Sequence, residues 1–465
     1  MTDYASLIAV LLAIYMLGAG RRYGHLSAIS LFVYSQAIMA VGTLPLLTPD
    51  ENADELHLSL IISTFAIVII TATICAAAFP PRSIRSYSPR VDYEFPRVPT
   101  WVWISLSLAI TGLYYFNVGY IALFDSFQSV FSGTKEDLAG LRLASYSGAK
   151  YLFPGYVNQF KNSLLPALAL VVLLAAFHKR QRSRYVLLFI LAPLVLVALL
   201  GTGQRGAFVL AGVIFVIFAS LVSPRRSKRY VFIAIIVVLP FFLLSTLAGG
   251  RAGDQIAATA NTEDAIGILL SQFSSRIFGS NQLSSVVGFR YIHEHPISFG
   301  SEWAQALTGI LPGQRGSDIS NRIFEQLYGS TRGTAPLSLW GSVYYNFGFV
   351  GTLFFAALIT IALCVISRQI TRKDSVNLIQ AAGMAGVSVT LGMWIADGPT
   401  TLLNTGIGVY ILLWLWGNRR ARRVSEIDVG DTPLAPDKPG SRLNLPRSSA
   451  RIYPSGPTDT LEASP

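Results

Sequence analysis

Apolar residues run in long unbroken blocks along almost the whole chain. The blocks show neither the two-residue alternation of a half-buried strand nor the single apolar stripe of a soluble helix. A hydrocarbon core about 30 Å thick takes roughly 20 helical residues to cross. Blocks of that size predict about eleven transmembrane helices, over 4–20, 26–47, 58–79, 101–123, 160–177, 185–200, 206–222, 230–248, 337–366, 377–396 and 400–416. Helices satisfy their backbone groups internally, whereas barrel strands alternate, so continuous runs mean helices. The fold class expected is all-α, a polytopic helical membrane protein.

Composition narrows this further. Of 465 residues 52% are hydrophobic and only 13% charged, which excludes a soluble globular chain of ordinary make-up. The first block is short enough to suggest a signal peptide, yet Met1 to Tyr4 carries no basic residue and no small-residue cleavage site follows. Lysine and arginine fall on alternate loops, around Arg21, Arg82, Lys179, Arg225, Arg368 and Arg419, where 21 of the 36 basic residues lie. Cytoplasmic loops retain positive charge, so these loops face the cytoplasm, the N-terminus faces out and the C-terminus in. The net charge of +11 thus sits beside anionic lipid headgroups, which leaves no basic domain for nucleic acid. Cys75 and Cys364 fall inside spans as packing residues. Residues 424–465, rich in proline, serine and mixed charge, predict a disordered cytoplasmic tail after a membrane domain of residues 1–423.

Polar groups predicted to face outward gather in four places: residues 124–162, the turn GTGQRG at 201–206, the loop 249–336, and the turn around Asp397. The long loop carries six arginines and no lysine. Arginine grips phosphate or carboxylate oxygens two at a time, so this loop reads as a site for a phosphorylated ligand. Arg205 stands among glycines at the start of a helix, where backbone N–H groups suit an anion; an interfacial arginine on a tight turn is the alternative. Within the loop, Ile266, Leu269, Leu270, Phe273 and Ile277 predict an amphipathic helix over 265–278, with Arg276 on another face. Ser280 and Asn281 are expected to cap a second helix bearing Arg290 and His293, ended by Pro296. Arg251, Arg276, Arg290, Arg315, Arg322 and Arg332 are outnumbered by acids, so pairing with Asp and Glu competes with ligand binding at each. His293 and His295 suit proton transfer better than a metal, since no third ligand stands at fitting spacing. The ninth span is too long for the bilayer and must tilt or protrude; its outer end places Tyr344, Tyr345 and Asn346 where rings and an amide could hold a sugar or serve an aromatic belt.

Together GTGQRG, AGGRAGD, SSRIF, HEHPISFGSEWAQALTGILPGQRG and GTAPLSLWGSVYYNFGFVGTLFF, in that order between about residues 200 and 366, resemble the oligosaccharide repeat-unit polymerases of the O-antigen polymerase (Wzy) type. Before the tyrosine pair, where relatives carry a glutamate, stand Ser342 and Val343, so no acid is carried over there. The resemblance implies glycosyl transfer on the outer face of the bacterial cytoplasmic membrane. The donor would be a polyprenyl pyrophosphate-linked oligosaccharide, and a chain-length regulator would be a partner. No cofactor is implied. With no acidic metal motif in the sequence, fixed arginines are expected to stabilise the leaving diphosphate: Arg205 and Arg276 first, then Arg290, Arg251 and Arg315. His293, Asp318 and Glu302 are candidate bases for the acceptor hydroxyl.

An O-antigen ligase shares the span plan and the activated donor and differs in acceptor. A lipid-linked oligosaccharide or solute transporter would show ionisable residues along its spans and two related halves. A metal-dependent transferase could recruit Asp50 and Glu51, although their short acidic turn already follows from the charge rule.

Overall fold

The computed structural model describes residues 2–48, 51–81, 89–121, 124–125, 154–202, 205–224, 228–236, 240, 267, 271, 274–275, 277–311, 314, 316–331 and 333–430, with backbone alone for Thr2, Pro154, Arg205 and 419–430. It divides into two units, Met1–Arg422 and Arg423–Pro465. The second is helical to Gly430, and residues 431–465, the bulk of the expected tail, lie outside the described residues.

The first unit is built from helices. Five are long and apolar enough to cross a membrane: Ala28–Leu46, Asn52–Ala78, Arg97–Val118, Gly155–His178 and Leu339–Thr371. Five shorter apolar helices, Asp3–Leu17, Arg184–Leu200, Gly206–Val222, Leu378–Gly392 and Ile407–Asn418, fall on other expected spans. The expected span 230–248 lies mostly outside the described residues. The chain is therefore an all-α membrane protein. In order, the helices are α1 (Thr2–Leu17), α2 (Ala28–Thr43), α3 (Asn52–Ala78), α4 (Arg97–Val118), α5 (Leu165–His178), α6 (Arg184–Leu200) and α7 (Arg205–Val222). Then come α8 (Ser280–His293), α9 (Ser301–Thr308), α10 (Ile319–Tyr328), α11 (Leu339–Thr371), α12 (Leu378–Gly392), α13 (Pro399–Asn404) and α14 (Ile407–Gly430).

Packing follows from the apolar pattern in a lipid solvent. On α11, Val350, Phe354, Leu358, Ile361 and Val365 are exposed along one face, an arrangement stable against acyl chains but not against water. Helix α12 is the reverse, buried on nearly every side. Gly386 lies against the Tyr410 ring and Gly383 against the backbone at Trp414, so small residues let α14 approach closely. Hydroxyls inside the bundle turn back on their own helix: Thr64, Thr352, Thr360 and Thr390 each donate to the carbonyl four residues earlier, at 2.7 to 2.8 Å.

Contacts between loops among the described residues fall into two sets. In one, β1 (Arg90–Asp92) pairs in parallel with β2 (Ser375–Asn377), Tyr93 stacks on His178 at 3.4 Å, and Lys373 Nζ donates to Asn418 Oδ1 at 2.9 Å. All belong to loops expected in the cytoplasm. In the other, Arg290 meets Asp54, Ser338 N donates to Ala396 O at 2.7 Å, and Gln159 Nε2 to Leu403 O at 2.6 Å. These are the segments expected outside.

Several expectations are corrected. The overlong ninth span, expected to tilt or protrude at its outer end, is kinked there: Gly348 at φ 68°, ψ −174° breaks α11, and the piece from Phe349 to Thr371 is about 34 Å at a rise of 1.5 Å per residue. The eleventh span is interrupted at Gly406 (φ 90°), which separates α13 from α14. Helix α8 starts at Ser280 with Gly279 as its N-cap and no side-chain cap, so Ser280 and Asn281 lie inside it. Helices α9 and α10 and the short strand pair were not legible, being too short to build a periodic signal.

Candidate functional site

A cavity of about 650 Å3 opens at the end that gathers the long loop and the Asp397 turn. Its wall includes Tyr156 and Gln159 ahead of α5, Glu302 from α9, Ser320 from α10, and Asp397 and Asn404 around α13. The volume lies inside the roughly 300–1,000 Å3 typical of small-ligand sites.

The turn Trp394 to Pro399 places Asp397 rigidly. Ile395 O and Ala396 O accept from Leu339 N and Ser338 N at 2.9 and 2.7 Å, and Trp394 Nε1 donates to Asp397 O at 2.8 Å. The carboxylate accepts from Ser320 Oγ at 3.0 Å and from Gly398 N at 2.8 Å. Burial pushes its pKa up to about 6; those two hydrogen bonds oppose the rise, and the charge of Glu302 adds to it. Gly398 is required here by close approach, since a Cβ would come within 2.7 Å of Ser342 Oγ.

Glu302 stands in the first turn of α9, behind Gly300 at φ 84°. Its Oε2 accepts from Asn346 Nδ2 at 2.9 Å. Asn346 also donates to Ser342 O at 2.9 Å, while its Oδ1 accepts from Ser298 Oγ at 2.8 Å and Trp303 N at 3.2 Å. It is 0% exposed. Asn346 therefore does not meet a glycan as expected; burial at the Gly348 kink turns it into a bracket for Glu302. Of the ring pair, Tyr344 packs on Phe289 at 5.0 Å, and Tyr345 lies within electrostatic reach of Glu302 and Asp318. Neither lines the cavity.

Asp318, at the N-terminus of α10, lies 3.6 Å from Arg322 Nε and outside the cavity lining. His293 is exposed on the last turn of α8, also outside that lining. Arg290 closes its fork on carboxylates: Nε to Asp54 Oδ1 at 2.9 Å and Nη2 to Asp54 Oδ2 at 2.7 Å, with Glu51 Oε2 at 2.9 Å. That pairing raises its pKa further and holds α8 on α3. In this geometry the guanidinium is engaged and not open to a diphosphate. Arg251, Arg276 and Arg315 lie outside the described residues, and Arg205 is described by its backbone, which opens α7.

A lysine that the hydropathy pattern conceals joins these parts. The chain enters α5 through a π-helical turn, Gln159–Leu164, of the kind that often marks functional sites. Gln159 lines the cavity, and Lys161 is 0% exposed, donating to Ala198 O at 3.1 Å and Asn162 Oδ1 at 3.0 Å beneath the Tyr114 ring. Ala198 stands in the last turn of α6, so Lys161 ties the π-helical turn to the end of that helix. The signal was available: a basic residue at the outward end of a span runs against the charge bias, as Arg205 does. Asp397 was visible only as part of a polar turn.

One apparent constellation has no room for chemistry. His57 Nε2 lies 3.5 Å from Ser285 Oγ, close to Asp54, but the adjoining cavity of about 20 Å3 holds no more than a water. Among the described residues no group of three or more His, Cys, Asp or Glu side chains could hold a metal. Compared with family models, curated proteins and solved structures, the chain matches none.

Proposed function

We propose that this chain is a glycosyltransferase of about eleven spans in the bacterial cytoplasmic membrane, with its N-terminus outside, which polymerises lipid-linked oligosaccharide repeat units. The observation that supports it is the cavity at the end of the bundle where the outward-reading segments meet. It is lined by two carboxylates, amides and hydroxyls. Hydroxyl-rich ligands need such walls.

In this reading the donor is activated as a polyprenyl diphosphate. The glycan's anomeric carbon forms a bond to the acceptor hydroxyl, the bond to the diphosphate oxygen breaks, and the lipid diphosphate departs with the electron pair. Charge growing on that leaving group needs forked cations, and Arg205, Arg276, Arg251 and Arg315 are proposed for it from sequence alone. Arg290 is left to its carboxylates.

The test uses purified full-length protein in detergent with a lipid diphosphate-linked repeat unit. A ladder of products supports a polymerase. One transfer to a different lipid acceptor supports an O-antigen ligase, and substrate that binds without reacting supports a transporter. Arg205→Lys is expected to lose turnover nearly as fully as Arg205→Ala; a lysine variant with wild-type ladders would refute forked diphosphate binding.

A further inference from the structure

We propose that Asp397, facing Glu302 in the 650 Å3 cavity, is the base that takes the proton from the acceptor hydroxyl. The inference rests on the transferase reading and goes beyond it by choosing the base, which is none of the three residues that the sequence pointed to.

Geometry makes the choice. A base must reach the reacting hydroxyl inside the site. His293 and Asp318 lie outside the cavity lining, and Asp318 is 3.6 Å from Arg322 Nε. Glu302 lines the cavity too, on the short helix α9, and its carboxylate, like that of Asp397, accepts hydrogen bonds; the two differ in burial and in the rigidity of the turn that carries Asp397. Asp397 lines the same cavity on a turn braced to the start of α11, and among the described residues no cation acts on it.

Among the described residues, four groups act on Asp397 besides its burial. From α9 comes the charge of Glu302; from α10 the Ser320 hydroxyl; from its own turn the Gly398 N–H; and from the strand of chain before α11 the Leu337 N–H. Burial and Glu302 both disfavour the ionised form, which places its titration near neutrality, where a base is ionised yet still holds a proton strongly. The three donors keep that burial from making it a permanently protonated acid.

The step balances. The acceptor O–H proton moves to an Asp397 oxygen as the new O–C bond forms, and the lipid diphosphate leaves with the electrons of the broken C–O bond. The proton then returns to solvent through the open side of the cavity. Glu302 is a positioning residue in this scheme, acting through its charge.

The experiment measures turnover against pH in full-length protein with a lipid diphosphate-linked repeat unit, alongside binding of that unit. Wild type should lose turnover as pH falls through about 6, because only ionised Asp397 accepts a proton. Asp397→Asn should lower kcat by roughly 10²- to 10⁴-fold with little change in binding. Its melting temperature checks the fold. Two neighbours supply readouts that a merely structural role would not give. Glu302→Gln removes a like charge and should move the acid limb to lower pH; Ser320→Ala removes a donor and should move it to higher pH. Damage to packing cannot shift the limb in opposite directions. Limbs that stay fixed or move together overturn the assignment, as does an Asp397→Asn protein with normal kcat. Wild type that extends nothing overturns the transferase reading itself, so the two failures are distinct.

Discussion

The clamp between α8 and α3 gives a prediction that does not depend on any activity. Asp54 has a side chain 1% exposed and Arg290 one 35% exposed, joined by hydrogen bonds of 2.9 and 2.7 Å. Arg290→Ala leaves a buried carboxylate whose other donor is Thr48 N at 2.6 Å. Breaking a fully buried pair costs about 3–5 kcal/mol, and the solvent at Arg290 reduces this to roughly 2–3 kcal/mol. Asp54→Asn removes the buried charge itself, leaves Arg290 against Glu51 at 2.9 Å, and should cost only about 1–2 kcal/mol. The double variant should then be more stable than Arg290→Ala alone, since the stranded charge is gone. Thermal melting in detergent, with protease cleavage of the loop following α8, reads both effects. A double variant less stable than either single one, or an Arg290→Ala protein that melts with wild type, would show that the fork is not what seats the loop.

Two more outcomes follow from particular residues. Gly348→Ala should destabilise by about 1–3 kcal/mol, because φ 68°, ψ −174° is closed to side chains and a Cβ would come within 3.1 Å of Ile297; unchanged melting with full turnover would mean that the kink is not needed to bring Asn346 under Glu302. For sidedness, in a Cys75→Ala/Cys364→Ala background, Gln305→Cys on α9 should react with an impermeant maleimide in intact cells and Ser183→Cys only after permeabilisation. The reverse pattern would invert the orientation.

How far the site could be read depended on the range of its interactions. The cytoplasmic-reading loops are recognisable because lysine and arginine are sorted locally along the chain, and the strand pair Arg90–Asp92 with Ser375–Asn377 joins two such loops. Glu302 was visible as one acid among seven in the long loop. Nothing nearby in sequence marks its bond to Asn346, 44 residues on. The arginine count pointed to ligand chemistry, yet Arg290 is closed by Asp54, 236 residues away, a pairing with no local signature.

By itself the sequence determined the helical class of this chain, its membrane character and the placement of the apolar helices found among the described residues. Those properties arise from transfer free energies and charge, which act residue by residue and so are written in order along the chain. Only the tertiary structure decided that Asp397 faces Glu302, that Lys161 is buried under Tyr114, and that Asn346 is a bracket and not a sugar contact. Those are contacts between helices distant in sequence, fixed by packing and by the need to satisfy each buried polar group, and they come into being only when the bundle closes.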